Sequence, residues 1–419
     1  MKKSTFPGTQ LLFEKTGQEQ FNLQENPFPI VYFDVWPYCD MDCNICYNAE
    51  AMANSVKKNA KVTDSKAGYI PKVTVEFFED VVSKLGQNYQ LDIADHVPAS
   101  RIKQGRPVHA RNTNPQEIIL LGGEPTTHPD FFEFLEIIHK YGHNAYVSTN
   151  GKRLSKNMDF CHRIKETVAG RKLRFHMDIS GGLDRDLNKA VHNEDSLDFK
   201  LQALENLQEA GLGKMTISCI LVRDFNEHII GDMFEIAARY PKVIREIDFR
   251  SQGLIGNYIG NGRPYLTNEW LRLMREQKIV TSEEIGTAYM GGQFHEECAG
   301  KNCCFKFKVK RGGNVHIVSW IDFLCDHCWL RGQIVADQAE PKVEYMFEHI
   351  EDNNTYGKRD TSAGAKPYGQ NDFRHSEIES QIKRGIAKID MAGIEAHMQK
   401  THNRAQRLQH NVKKDRLVN

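Results

Sequence analysis

The sequence predicts an α/β protein built on a partial, open (β/α)6 barrel, with a small cysteine-rich β-hairpin module and a C-terminal helix. Three observations lead there. Between residues 30 and 250, six short β-rich runs alternate with helical patterns, and parallel neighbours need such crossover connections. Five cysteines gather between residues 290 and 330 around two alternating runs, FKFKVK and NVHIVSW, joined by Lys310-Arg311-Gly312-Gly313, which reads as a hairpin. Ile378, Ile382, Ile386 and Ile389 lie on one face of an amphipathic pattern over 376–398.

In chain order, the strand candidates are IVYFDVW (30–36), EIILL (117–121), NAYVST (144–149), LRFHMDIS (173–180), MTISCILV (215–222) and VIREIDF (243–249). A helix over 74–85 places Phe77, Phe78, Val81, Val82 and Leu85 on one stripe, with Thr74 as N-cap and Gly86 as stop. A second, over 129–141, carries Pro129 in its first turn and ends at Gly142. Similar patterns cover 153–168, 197–210 and 226–239. Six units fall short of the eight that close a full barrel, so the sheet should stay open, with functional groups at the C-terminal strand ends. An open doubly wound sheet is the alternative.

The domain boundaries read as an N-terminal extension (1–29), a core (30–250), a connecting helical segment (251–289), a cysteine-rich module (290–335), and a linker, amphipathic helix and tail (336–419). Two insertions, 48–73 and 87–116, interrupt the core; the second carries Arg101, Lys103, Arg106 and Arg111. They serve as solvated loops or as a substrate cover.

Lys+Arg and Asp+Glu are both 55, for a net charge of zero, so bulk electrostatics favours neither nucleic acid nor membrane. No apolar run approaches the roughly 18 residues of a membrane span. The N-terminus lacks a secretory signal. A reducing cytoplasm is therefore expected, where the ten cysteines are read as metal ligands or catalysts rather than disulfides.

The segment CDMDCNIC places Cys39, Cys43 and Cys46 just past the first strand. Three thiolates on one tight loop can hold three irons of a [4Fe–4S] cluster and leave the fourth open to an outside ligand. A closed structural site would want four ligands.

This CxxxCxxC spacing resembles the radical S-adenosylmethionine (SAM) superfamily, and other motifs follow in the family's order. Gly122-Gly123-Glu124-Pro125 follows the second strand, Ser148-Thr149-Asn150-Gly151 the third and Asp178-Ile179-Ser180 the fourth, while Ser218 lies on the fifth. The resemblance spans residues 30–250. It implies that SAM chelates the open iron, with Gly122, Gly123, Glu124 and Pro125 near its methionine end. Thr149, Asn150, Asp178, Ser180 and Ser218 supply polar contacts. An aromatic residue usually precedes the third cysteine; Ile45 stands there, and Tyr47 shares the adenine role. The implied chemistry is reductive cleavage of SAM to a 5′-deoxyadenosyl radical, which takes hydrogen from substrate. A reductant such as flavodoxin or ferredoxin is the implied partner.

The second cysteine group resembles the SPASM and Twitch extensions of these enzymes. The full SPASM pattern has seven cysteines and five are present, which implies one auxiliary [4Fe–4S] cluster. Cys298, Cys304, Cys325 and Cys328 are the expected ligands, with Cys303 as substitute for Cys304; zinc is the competing metal. The expected function is oxidation or group transfer on a small metabolite or a peptide. The 29 residues ahead of the first strand are short for a leader-peptide recognition domain. A non-catalytic metal scaffold and a nucleic-acid-modifying enzyme are the alternatives; the second lacks an aromatic-basic binding motif.

Overall fold

The computed structural model describes residues 20–24, 30–46, 48, 52, 70, 72–85, 90–91, 111–112, 116–251, 265, 267–282, 284–285, 304–311, 313–321, 331–335 and 341–345. The first half runs β1 (Gln20–Asn22), β2 (Ile30–Trp36), α1 (Val75–Lys84), β3 (Gln90–Leu91), β4 (Arg111–Asn112), β5 (Glu117–Gly122), α2 (Phe131–Lys140), β6 (Asn144–Ser148), α3 (Lys152–Lys156) and α4 (Met158–Val168). There follow β7 (Leu173–Asp178), α5 (Arg185–His192), α6 (Leu197–Glu209), β8 (Met215–Leu221), α7 (Ile230–Arg239), β9 (Ile244–Ser251) and α8 (Thr267–Glu276). The last strands are β10 (Cys304–Arg311), β11 (Asn314–Ile321), β12 (Arg331–Val335) and β13 (Lys342–Tyr345).

All six strand candidates form, and they pair in parallel in chain order, β2-β5-β6-β7-β8-β9. β12 adds in parallel beside β2 and β11 beside β9, so eight neighbouring strands pair in parallel. β13 and β1 continue one flank and β10 the other, all antiparallel to their neighbours. Among the described residues no pairing joins these two edges, and the barrel stays open.

Local chemistry explains most boundaries. Thr74 caps α1, its hydroxyl accepting from the Phe77 amide at 3.3 Å. Pro129 precedes the second helix instead of entering its first turn: Asp130 is the N-cap and the helix begins at Phe131. The helix expected over 153–168 is broken at Asn157, whose backbone is extended and whose side chain caps α4 by accepting from Phe160 N at 3.0 Å. That side chain offers the backbone a local partner in place of a continuing helix. The polar helix α5 was not anticipated, because RDLNKAVH carries a narrow apolar stripe.

Helix α1 packs through Phe78, stacked on Phe33 of β2 (5.2 Å) and Phe134 of α2 (4.3 Å). On β7, Phe175 and Met177 join this outer core while Arg174, His176 and Asp178 alternate to the other face. There, a separate apolar patch of Tyr32, Ile119, Leu121 and Tyr146 lines β2, β5 and β6. The charged side chains lie on β7 and β9 across the same inner face.

The expected hairpin is present: β10 and β11 pair from Cys304↔Ile321 to Arg311↔Asn314, and Gly313 turns the chain with φ +81°. It does not stand apart from the barrel. β11 continues the parallel sheet, and Phe307, Val309, Val318 and Trp320 are buried in the main core. The amphipathic pattern at 376–398, most of both insertions and the linker lie outside the described residues.

Candidate active site

The Cys39–Cys46 loop begins where β2 ends, and the next strand end clamps it. Gly123 N donates to Trp36 O at 2.6 Å, and Glu124 N to Tyr38 O at 2.7 Å. A Cβ on Gly123 would sit 2.1 Å from the Tyr38 carbonyl oxygen; one on Gly122, whose φ is +118°, would sit 2.4 Å from that of Trp36. Both glycines are therefore required by the close approach of the chain to itself. On its other side the loop rests on α5: Asn44 donates from its backbone to Val191 O and from its side chain to Ala190 O, both at 2.8 Å.

Glu124 ties three segments together. One carboxylate oxygen accepts from Thr126 N at 3.1 Å, from the Thr126 hydroxyl and from Thr149 Oγ1 at 2.8 Å; the other accepts from Asn150 N at 2.6 Å. Asn150 then donates its amide to Asp40 Oδ1 at 2.7 Å and to Cys39 Sγ at 3.8 Å. Glu124 is 1% exposed. Burial pushes its carboxyl pKa up, against the pull of these donors. Pro125 opens the short 3-10 turn, Pro125–Thr127, that brings the Thr126 donors round.

A second network surrounds Asp178. Its Oδ1 accepts from Ser180 N at 3.1 Å and lies 2.9 Å from His192 Nε2; its Oδ2 accepts from Ser180 Oγ at 2.6 Å and Ser218 Oγ at 3.4 Å. Ser180 Oγ also accepts from Ile220 N at 2.7 Å, so Ser180 stitches β7 to β8. Lys200 donates to the Asp178 carbonyl at 2.6 Å and lies 2.9 Å from His192 Nε2. Ser196 Oγ sits 2.9 Å from His192 Nδ1. Burial alone would raise the Asp178 carboxyl, but the His192 hydrogen bond, the His192 and Lys200 charges and Ser180 hold it well below the usual range.

The structure thus gathers Glu124, Thr149 and Asn150 beside Cys39, and Asp178, Ser180 and Ser218 into a second group. Ile45 is buried in the main apolar cluster; Tyr47 lies outside the described residues, as do Cys298, Cys303, Cys325 and Cys328. Cys304 opens β10. Sequence reasoning missed His192 and Lys200. One signal was available: Lys200 falls on the stripe of Leu197, Ala203, Leu204 and Leu207, where an apolar residue is expected. Arg250 donates to Asp248 Oδ2 at 2.6 Å and to His176 Nε2 at 3.1 Å. Arg223 pairs with Glu269 at 2.8 Å.

The model of the radical SAM superfamily matches residues 34–237. This segment is a radical SAM domain. Mycofactocin maturase MftC of Mycolicibacterium smegmatis is 30% identical over 135 residues, 32% of this chain and 32% of its own length. A 7,8-dihydro-6-hydroxymethylpterin dimethyltransferase of Methanocaldococcus jannaschii is 24% identical over 52% of this chain and 40% of its own. The chain therefore spans well under half the length of these curated relatives. Among solved structures, SuiB of Streptococcus suis aligns with a TM-score of 0.40 at 16% identity, over 60% of this chain and 46% of that one.

A radical SAM domain implies a [4Fe–4S] cluster and SAM, and the thiols present fit the cluster. Cys39, Cys43 and Cys46 are half-buried and free of disulfides. They feel one another electrostatically, yet among the described residues no three ligand-type side chains converge as a single-ion site requires. Three neighbouring thiols on one loop suit the separate irons of a cluster. Burial pushes Cys39 and Cys43 up to about 12, so their protons leave only when a metal takes their place. No helix among the described residues is long and apolar enough to cross a membrane.

Proposed function

We propose that the protein is a radical SAM enzyme of the cytoplasm that abstracts hydrogen from a small-metabolite or peptide substrate. Cys39, Cys43 and Cys46 carry the [4Fe–4S] cluster and leave one iron for SAM. Bound together, cluster and SAM supply a 5′-deoxyadenosyl radical once a flavodoxin- or ferredoxin-type reductant delivers an electron. One observation carries this reading: Glu124 links the GGEP turn, the Thr149-Asn150 turn and, through Asn150, Cys39 and Asp40. Three distant motifs meet there around a three-thiol loop.

In this reading the chain's own groups position and shield. Gly122 and Gly123 let the loop lie close against β5, and Glu124 fixes the Thr149-Asn150 turn. Asp178, with 26% of its side chain exposed, is the carboxylate of the second network open to a ribose or amino group of SAM; Ser180 and Ser218 aim it. The apolar patch of Tyr32, Ile119, Leu121 and Tyr146 excludes water from the inner face. Cys298, Cys304, Cys325 and Cys328 hold an auxiliary [4Fe–4S] cluster of Twitch type, supported by the hairpin that starts at Cys304.

The test is iron, sulfide and zinc content after anaerobic reconstitution, with deoxyadenosine production followed alongside. Wild type should cleave SAM, and a Cys39/Cys43/Cys46→Ala triple variant should not, while retaining about four irons at the auxiliary site. Wild type without iron or SAM cleavage would overturn the radical reading in favour of a metal scaffold. A triple variant that holds zinc alone makes the second group structural.

A further inference from the structure

We propose that Lys200 is a positioning cation beneath the cysteine loop, which raises the reduction potential of the cluster bound there. The inference rests on the radical SAM reading of that loop. Lys200 is 2% exposed, among the largest fully buried side chains of the described residues. An ammonium group in that position carries a desolvation penalty that an apolar residue on the same helical stripe would avoid. The fold holds it by its hydrogen bond to the Asp178 carbonyl at 2.6 Å, with the His192 ring 2.9 Å away.

The loop rests on α5, whose last residue, His192, neighbours this cation. Asn44, the residue after Cys43, is hydrogen-bonded to Ala190 and Val191, in the turn of α5 that ends with His192. Burial draws the Lys200 pKa below the usual lysine value, and the charges of Asp178, Cys43 and Glu194 around it oppose that pull. Glu194 is itself paired with Lys152 at 2.8 Å, and His192 is held by Asp178 and Ser196. No acidic group among these caps the Lys200 ammonium directly. One-electron reduction adds a negative charge to the cluster, and a buried cation favours the reduced form at low local dielectric. Salt does little to screen a group at this depth.

The experiment compares wild type with Lys200→Met, Lys200→Gln and Lys200→Arg, each reconstituted anaerobically and checked for iron, sulfide and thermal melting. Cluster reduction is then titrated with dithionite and viologen mediators and read by EPR. In the two neutral variants the reduction equilibrium should fall about tenfold, a shift of about 59 mV for a one-electron couple; Lys200→Arg should stay near wild type. Gln keeps a donor for the Asp178 carbonyl, so it carries the comparison if Met does not fold. A neutral variant with full iron and the wild-type potential overturns the proposal, as does an Arg variant shifted as far as Met. Wild type without a cluster would instead overturn the radical SAM reading beneath it.

Discussion

Glu124 lies just past β5 and Asp178 ends β7, two carboxylates on one rim of one sheet, and their surroundings drive them in opposite directions. Every donor to Glu124 is neutral: two backbone amides and the hydroxyls of Thr126 and Thr149. Burial is the leading influence there, and the pKa is raised. Asp178, 26% exposed, is also driven up by burial but meets His192 and Lys200, and its pKa is lowered. Neutral donors make Glu124 a mechanical tie between segments. The His192 hydrogen bond and the buried Lys200 make Asp178 an electrostatic element that stays ionised. The difference also fixes opposite pH signatures. The folded state holds the Glu124 proton more tightly than the unfolded chain, so its contribution to stability falls as pH rises above 4.5. Asp178 contributes stability that is present above 3.8 and lost as pH falls toward its lowered folded value.

The largest expected effect breaks the mechanical side. Gly123→Ala drives a Cβ into the Tyr38 carbonyl, a backbone atom that cannot swing away. It should cost about 3 kcal/mol or more, the upper end for an overpacked position, and strip iron from the loop. Urea denaturation with parallel iron assay reads both. A variant with wild-type stability and iron would show that β5 does not clamp the loop.

Asp178→Asn comes next, because it leaves His192 and Lys200 without their carboxylate. A loss of about 1.5–3 kcal/mol is expected at neutral pH for hydrogen bonds to a charged group. The deficit against wild type should narrow as pH falls below 3.8, where wild type loses the same interaction. A deficit that widens in acid would mean that the lowered pKa has been assigned the wrong sign.

Glu124→Gln has the smaller effect, since the amide keeps one acceptor for Asn150 N and the threonine hydroxyls can rotate. One amide donor, Thr126 N, then faces an NH2 group, at a cost of about 1 kcal/mol. Its deficit should be greatest in acid and shrink as pH rises above 4.5, the reverse of Asp178→Asn. Parallel pH profiles for the two variants would erase the distinction between tie and electrostatic element.

The contrast also shows what the sequence could reveal. Six strands and the positions of Glu124 and Asp178 at their ends were legible, because period-two apolar runs and crossover helices constrain a parallel sheet tightly. The reason for Gly122 and Gly123 was not. The expectation was close approach to SAM, whereas the described approach is to Trp36 and Tyr38, an intrachain contact that no local pattern encodes. His192 and Lys200 escaped because their meeting requires α5 and α6 to fold back on the end of β7, and α5 was too polar to read as a helix. β11 read as a hairpin strand from its alternation, but its pairing with β9 spans an intervening segment of more than sixty residues, and alternation carries no register over that distance.

The smallest effect tests whether exposure alone decides the value of a carboxylate pair. Arg185, at the start of α5, donates to Asp195 at 2.9 Å and to Asp198 at 3.0 and 2.6 Å, a geometry as short as anything around Asp178. Its side chain is 52% exposed and that of Asp198 is 74% exposed. Water and salt screen such charges, and ordering the long side chains offsets much of the attraction. Arg185→Ala should therefore leave the thermal transition unmoved at physiological ionic strength, even though Asp198 is held below its usual pKa chiefly by this arginine. A drop comparable to that of Asp178→Asn would mean that the arginine does more than pair at the surface: by fixing α5 against α6 it would set the positions of His192 and Lys200, and the electrostatic network would begin at the surface rather than at Asp178.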